Sequence, residues 1–211
     1  MARYIDAKCR LCRRVGDKLM LKGDRCSTAK CAFEHRNTVP GQHGNAKKRR
    51  AKMSDRGIQL REKQKARYIY GLQERQFRQT FGVAGRLSGI TADNLVTMLE
   101  RRLDNIVYRL GFSDSRAQAR QLVRHGHILV NGRKTDIPSF LVKPGEEIFW
   151  REGSKKTEYY KVAAEAIKDK LIPAWLQLDA PKMAGKVLAL PKREDVEVKF
   201  SGKDIVEYYS R

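Results

Sequence analysis

Apolar side chains recur at three- and four-residue spacing over residues 91–110, where Leu95, Met98, Leu99, Leu103, Ile106, Val107 and Leu110 share one face of a predicted helix. Thr91 is placed to cap its start and Gly111 to stop it. A second helix follows: Ser115-Arg-Ala-Gln118 has the form of a capping box, Ala119, Leu122 and Val123 make the apolar stripe, and Gly126 ends it. The period then changes. In His127-Ile-Leu-Val130-Asn131-Gly132-Arg133 an apolar run meets Asn-Gly, and since both positions of such a turn need positive φ, the pair predicts a hairpin. Val142-Lys-Pro144-Gly145-Glu-Glu-Ile148-Phe-Trp150 adds a turn and another short strand. Upstream, residues 58–70 read as a basic helix stopped by Gly71, and a shorter helix over Glu74–Phe81 buries Phe77 and Phe81. Downstream the pattern thins to a helix around Lys155–Lys168, a turn at Pro173-Ala-Trp175 and an apolar strand at Val187–Leu190. Helices followed by a small antiparallel sheet predict an α+β chain.

Charge is distributed unevenly. Across 211 residues 45 Lys and Arg face 24 Asp and Glu, a net of +21. Residues 1–90 hold 23 basic and 7 acidic groups (net +16), whereas residues 135–211 hold 14 and 13 (net +1). An excess of that size repels itself in a folded chain unless a polyanion offsets it, so a basic front and near-neutral back predict a protein that faces nucleic acid on one side. Pro40-Gly-Gln-His43-Gly44 reads as a loop running into Lys47-Lys48-Arg49-Arg50-Ala-Lys52, a block expected to be ordered only against phosphates. Arg116, Arg120 and Arg124, four apart on the second helix with no acid among them, read as a phosphate-tracking stripe. Tyr68 and Tyr70 suit either stacking on bases or core packing.

All four cysteines fall within residues 9–31, as Cys9-Arg-Leu-Cys12 and, thirteen residues later, Cys26-Ser-Thr-Ala-Lys-Cys31. Two close pairs across such a loop predict convergence on one tetrahedral Zn2+, and a closed four-sulfur shell is structural rather than catalytic. Arg10, Arg13, Arg14, Arg25 and Lys30 would favour the thiolate forms. The stretch has too few apolar residues to fold alone, so the metal is expected to supply its folding free energy. An iron–sulfur cluster is the alternative that four thiolates also permit. Disulfides are not expected, because nothing at the N-terminus reads as a signal peptide and no run approaches transmembrane length. His35 would be surplus to a full shell and reads as a surface or RNA-facing side chain.

Catalytic patterns are missing from the sequence. It has no Gly-rich phosphate loop leading into Lys-Ser or Lys-Thr and no His-Glu-x-x-His. Glu146-Glu147 and Glu194-Asp195 lie on predicted turns, and His125 and His127 have no acid close by in sequence. Two kinds of binder fit the charge and the metal: an RNA scaffold protein, or a zinc-containing transcription or messenger regulator.

Arg102-Leu-Asp104, Arg109-Leu, the run Arg116-Ala-Gln-Ala-Arg120-Gln-Leu-Val-Arg124-His-Gly126-His-Ile128-Leu-Val130-Asn131-Gly132, and Val142-Lys-Pro-Gly145-Glu-Glu-Ile148 resemble the small RNA-binding module named after small-subunit ribosomal protein four. The module also occurs in tyrosyl-tRNA synthetases and pseudouridine synthases, so alone it implies structured RNA. Pro40-Gly-Gln-His-Gly44, Leu60-Arg-Glu-Lys-Gln-Lys65, Glu74-Arg-Gln-Phe-Arg78 and Ile205-Val-Glu-Tyr-Tyr-Ser-Arg211 carry the resemblance to the ribosomal family end to end, and the cysteines match its zinc-bearing bacterial form. A regulator would need only the zinc or only the module. Gln73 departs from the family, where a helix-capping Ser is common.

The resemblance implies an α+β protein in three parts. These are an N-terminal zinc-binding module over 1–45, a mostly helical domain over 46–91 to which residues 196–211 return, and an RNA-binding domain over 92–195. In that last domain helices pack on a small antiparallel sheet, with the module at about 101–150. It implies a non-enzymatic structural constituent of the small ribosomal subunit in the cytoplasm. Such a protein is a primary binder of 16S-type ribosomal RNA at a junction in its 5′ domain and nucleates assembly. It would lie near the entrance of the messenger RNA channel beside small-subunit proteins five and three and contribute to accuracy, with no membrane or small-molecule partner. Candidate RNA contacts are Arg3, Arg10, Arg13 and Arg14 near the cysteines, and His43, Lys47, Lys48, Arg49, Arg50 and Lys52 in the loop. Arg61, Lys63, Lys65, Arg67 and Tyr68 follow on the first basic helix, then Arg116, Arg120 and Arg124 on the stripe, and His125, His127, Asn131 and Arg133 at the hairpin.

Overall fold

A computed structural model describes residues 4–42, 44, 53–167 and 170–210. The chain divides into two compact units, Met1–Leu95 with Val198–Arg211 and Val96–Glu197.

In the first unit, helices α1 (Cys9–Val15) and α2 (Ala32–His35) bracket the cysteine loop. Helix α3 (Asp55–Ile69) starts where Ser54 Oγ accepts from the Gly57 amide at 3.3 Å, and Gly71, at φ +63°, turns the chain out of it into α4 (Glu74–Ala84). Helix α9 (Gly202–Tyr209) comes back from the far end of the sequence and packs along α3. Aromatic rings fix it there. The Tyr209 ring lies 4.6 Å from Phe81 and 6.3 Å from the fully buried Phe77, and Phe200 meets Tyr70 edge-on at 6.4 Å.

Helix α4 lacks what α3 has. Gln73 occupies its N-cap in extended conformation (φ −85°, ψ 157°) but offers no side-chain hydrogen bond to the first turn. Gln73→Ser should therefore raise stability by about 0.5–1 kcal/mol in urea unfolding. An unchanged midpoint would show that another group already satisfies those amides.

The division between units falls within α5 (Thr91–Glu100). The single helix expected over 91–110 is in fact two, α5 and α6 (Leu103–Arg109). Arg102 between them is extended (φ −64°, ψ 135°) and forms an isolated antiparallel bridge with Leu141. The Leu103 amide donates to Phe140 O at 2.8 Å and the Asp104 amide to Pro138 O at 3.2 Å, while Val142 donates to Arg101 O at 3.0 Å. Loop carbonyls thus take α6 amides that a continuous helix would have bonded internally. Apolar spacing runs through the break because Leu99, Leu103, Ile106 and Leu110 are all buried.

Helix α7 (Arg116–Arg124) begins with the expected Ser115, whose Oγ accepts from Gln118 N at 3.3 Å. The reciprocal bond is shifted by one residue, since Gln118 Oε1 accepts from the Asp114 amide rather than from Ser115. Strands β1 (Ile128–Val130) and β2 (Arg133–Lys134) form the hairpin, with Asn131 at φ +49° and Gly132 at +77°. With β3 (Glu147–Trp150), β4 (Leu176–Asp179) and β5 (Ala184–Val187) they make an antiparallel sheet of order β2-β1-β3-β5-β4. Ile128, Val130, Ile148 and Trp150 alternate inward beneath Leu103, Ile106, Val107 and Leu110 of α6 and Ala119 and Val123 of α7. At Gly185 a Cβ would stand 2.3 Å from Leu110 Cδ1, so β5 admits α6 only because it carries glycine there.

Downstream of β3 the structure is finer than the sequence pattern suggests. Helix α8 is Glu158–Ala166, because residues 152–154 form a 3-10 turn before it; residue 168 lies outside the described residues. The strand expected at 187–190 lies earlier, at β5, while Leu188 and Leu190 are exposed.

Candidate nucleic-acid interface

The basic helix α3 keeps most of its charge for the first unit itself. Arg61 is exposed, as is Arg56 one turn earlier. Lys63, at 4% side-chain exposure, donates to Glu74 Oε1 at 2.7 Å and lies over the Tyr208 ring at 4.7 Å. Lys65 pairs with Asp17 and Glu62, and Arg67 with Glu74 at 3.4 Å and the Tyr68 ring at 5.1 Å. All three, expected as RNA contacts, make internal ion pairs, largely with acids from other elements of the unit. Burial would raise the Glu74 carboxyl, but hydrogen bonds from Lys63 and Tyr209 outweigh it and hold the pKa below the usual carboxylate range. Tyr68 is half-buried.

The three arginines of α7 likewise differ in their surroundings. Asp104 Oδ2 accepts from Arg120 at 2.9 Å and from Arg102 at 3.0 Å, and Arg102 Nε reaches Asp104 Oδ1 at 3.1 Å. Glu100, fully buried, accepts two bonds from Arg109, both at 2.9 Å, and one from Asn105 Nδ2 at 2.8 Å. Arg116 donates to Asn105 Oδ1 at 2.7 Å, sits 3.9 Å from Glu100 and lies over the Tyr108 ring at 4.6 Å. Two buried carboxylates therefore gather four arginines. Arg116 and Arg120 of the expected stripe thus meet acids supplied by α5 and α6, and Arg124 alone of the three is exposed. The signal for this network is present in the chain: Glu100 and Asp104 are four apart, as are Arg116 and Arg120.

Around Arg124 an exposed basic edge does form. Arg133 and Lys134 on the hairpin are exposed, and the Lys134 side chain lies so close over Gly126 that a Cβ there would meet Lys134 Cε at 2.3 Å. Gly126, at φ +72°, thereby lets β2 bring a cation to the end of α7. Asn131 is exposed too, but its Oδ1 accepts from Glu147 N at 2.9 Å and ties the turn to β3. His125 is exposed, whereas His127 is half-buried with Nδ1 2.8 Å from Ser154 Oγ. Burial first, then the nearby charges of His125 and Arg151, lowers the His127 pKa and favours the neutral ring.

Near the N-terminus Arg10 and Arg14 are exposed and Arg13 is half-buried, its Nε donating to Thr38 O at 2.8 Å. Arg3, His43, Lys47, Lys48, Arg49, Arg50 and Lys52 lie outside the described residues. Cys12, Cys26 and Cys31 are buried and Cys9 partly so. The Lys22 amide donates to Cys26 Sγ at 3.3 Å, and His35 is exposed. Burial chiefly raises the Cys12 thiol pKa, with the other three cysteines adding to it. Among the described residues no group of three or more His, Cys, Asp or Glu forms a ready ligand shell. None of their helices is long and apolar enough to cross a membrane.

Residues 101–148, which carry this basic edge, match the family described as "S4 domain", and residues 3–100 match "Ribosomal protein S4/S9 N-terminal domain". Fold and face together define an RNA-binding protein of the S4-domain class. Over all 211 residues, and the whole of each relative, the chain is 56% identical to small ribosomal subunit protein uS4 of Dehalococcoides mccartyi, 56% to uS4A of Clostridium novyi and 54% to uS4A of Alkaliphilus oremlandii. The chain belongs to the uS4 family of small ribosomal subunit proteins.

Proposed function

We propose that the exposed edge formed by Arg124, Arg133 and Lys134 takes the backbone phosphates of folded 16S-type ribosomal RNA, with Arg10, Arg14 and Arg61 as a second basic surface on the other unit. As a uS4-family member the chain is a structural, non-enzymatic protein of the small ribosomal subunit in the cytoplasm, and ribosomal RNA is its partner. One observation carries the assignment of the face: Arg102, Arg109, Arg116 and Arg120 are held by Glu100, Asn105 and Asp104, whereas the cations around Gly126 stand in solvent. Counterion release from the phosphates drives binding. Recognition follows the shape of a helical junction, because the deep major groove of A-form RNA is closed to side chains. The family resemblance supports a junction in the 5′ domain, early binding that nucleates assembly, and a place near the entrance of the messenger channel. It also supports contacts with proteins five and three and a contribution to accuracy.

Zinc held by Cys9, Cys12, Cys26 and Cys31 belongs to the same proposal. Its support is the paired spacing, the burial of three of the sulfurs and an amide already aimed at Cys26 Sγ. Bound there, the ion would crosslink α1 to the start of α2 and supply folding free energy rather than reactivity.

Salt-titrated binding to the 5′ domain, with duplex DNA and unrelated tRNA as competitors, tests the RNA reading. Tight, steeply salt-dependent binding that survives both competitors is expected. Replacing Arg124, Arg133 and Lys134 together by Ala should flatten the log–log slope by about 0.7–0.9 for each phosphate no longer neutralised. A slope equal to wild type would remove that edge from the interface.

A further inference from the structure

We infer that the cleft bounded by α7, the end of β3 and the start of α8 is a subsite for one unpaired RNA base. The inference deepens the RNA-binding reading and rests on it. At about 290 Å³ the cleft is near the lower end of ligand sites, which run from about 300 to 1,000 Å³, so it suits one planar ring system and not a length of chain.

Its walls are of the kind that hold bases. Trp150 and Tyr159 supply aromatic surface, and the His125 and His127 rings stand 6.0 Å apart at 45° beside them. The polar groups are poised and incompletely used. Trp150 is 2% exposed and its indole Nε1, like that of Trp175, is buried without a hydrogen-bond partner, so Trp150 serves the cleft as wall and reporter and not as a donor. Gln118 spends its carbonyl on the Asp114 amide, leaving its NH2 to donate. Gln121 is exposed with no side-chain hydrogen bond among the described residues. His127 uses Nδ1 on Ser154, leaving Nε2 for a ligand. Tyr159 instead donates its hydroxyl to Phe112 O at 3.1 Å, so it contributes surface and not readout.

Position favours RNA as the source of the ring. Arg124 adjoins His125 and Arg151 adjoins Trp150 in sequence, and both are exposed, so phosphates on the basic edge would lead a neighbouring nucleotide to the cleft mouth. Single-stranded and junction RNA is read through unstacked bases set on aromatic or imidazole surfaces, with amide and N–H groups on their edges. An apolar peptide side chain would use the wall but leave the Gln118 and Gln121 amides and His127 Nε2 unmatched.

The test uses the full chain labelled with 15N and the 5′-domain RNA. RNA should shift the Trp150 indole N–H resonance while leaving that of Trp175, which is not among the cleft residues, in place. The double variant Gln121→Ala/His125→Ala should weaken binding about tenfold with the wild-type salt slope, because it removes groups that meet the base and none that meets a phosphate. RNA bound at wild-type affinity by the double variant, with the Trp150 signal unmoved, would overturn the subsite while leaving the RNA reading intact. If the wild type fails to bind the RNA at all, the RNA reading falls. Titration with the four nucleoside monophosphates against ribose 5-phosphate then judges the cleft. A Trp150 shift with a base but not with ribose 5-phosphate supports a base site, and no shift with any of them overturns it.

Discussion

Stripping metal from the full chain with a strong chelator is expected to release one equivalent of zinc and to unfold residues 9–35, while the second unit keeps its structure. The apolar content of that stretch is Leu11, Val15, Leu19 and little else that is buried apart from the cysteines themselves. Short helices such as α1, with seven residues, and α2, with four, are not stable in isolation. Structural zinc supplies about 10–16 kcal/mol of apparent binding free energy in zinc-finger peptides at pH 7, far more than such a core provides. Cys12→Ser should act like the chelator, since it removes one of the three buried sulfurs proposed to hold the ion. Elemental analysis of the purified protein, read beside amide signals of residues 9–35 with and without chelator, decides the matter. Metal-free protein with those signals already dispersed would end the zinc proposal. Visible charge-transfer absorbance would assign an iron–sulfur cluster in its place.

Glu100→Ala should destabilise the second unit by about 3–5 kcal/mol, a large fraction of the about 5–15 kcal/mol that holds a typical domain together. The carboxylate is fully buried and takes three side-chain hydrogen bonds, so truncation strands Arg109, leaves Arg116 without its nearby anion and leaves the Asn105 amide only its bond to Glu100 O at 3.0 Å. The cost comes mainly from unpaired buried charge, which is why Glu100→Leu combined with Arg109→Met should recover most of the stability. Urea unfolding measures both variants. A Glu100→Ala effect below about 1 kcal/mol would mean that water reaches the site and replaces the carboxylate. The salt slope of RNA binding should survive in folded protein, because Arg124, Arg133 and Lys134 do not depend on Glu100.

Local chemistry is legible in the sequence, and pairing between distant segments is not. Ser115, Gly126 and the Asn131-Gly132 turn announce their roles because cap and turn geometries are decided by adjacent residues. The break at Arg102 is hidden because what ends the helix is a loop some 40 residues away, whose carbonyls at Pro138 and Phe140 take the amides of α6. Strand β4 escapes notice for a related reason: Leu-Gln-Leu-Asp is too short to stand out and is a strand only because β5 lies beside it. Charge behaves the same way at the site. The basic excess of the front half is visible, but which cations meet solvent depends on where Glu74, Glu100 and Asp104 come to lie. Lys63 and Arg61, two residues apart on α3, end up buried and exposed. The base cleft gives no warning, being assembled from α7, β3 and α8 by the fold alone.

The return of α9 to α3 sets an order for synthesis. The bonds that close the first unit span long stretches of chain: Gln59 to Glu207 is a separation of 148 residues, and Tyr209 to Glu74 is 135. The second unit, Val96–Glu197, is continuous in sequence and needs none of these partners. As the chain leaves a translating ribosome, the later-made unit can therefore finish folding first, while α3 and α4 wait with Phe77 and Phe81 uncovered. Nascent chains of this protein should thus show the second unit protected from protease before the first, and a stall placed ahead of α9 should leave the N-terminal helices as the substrate of whatever chaperone is near.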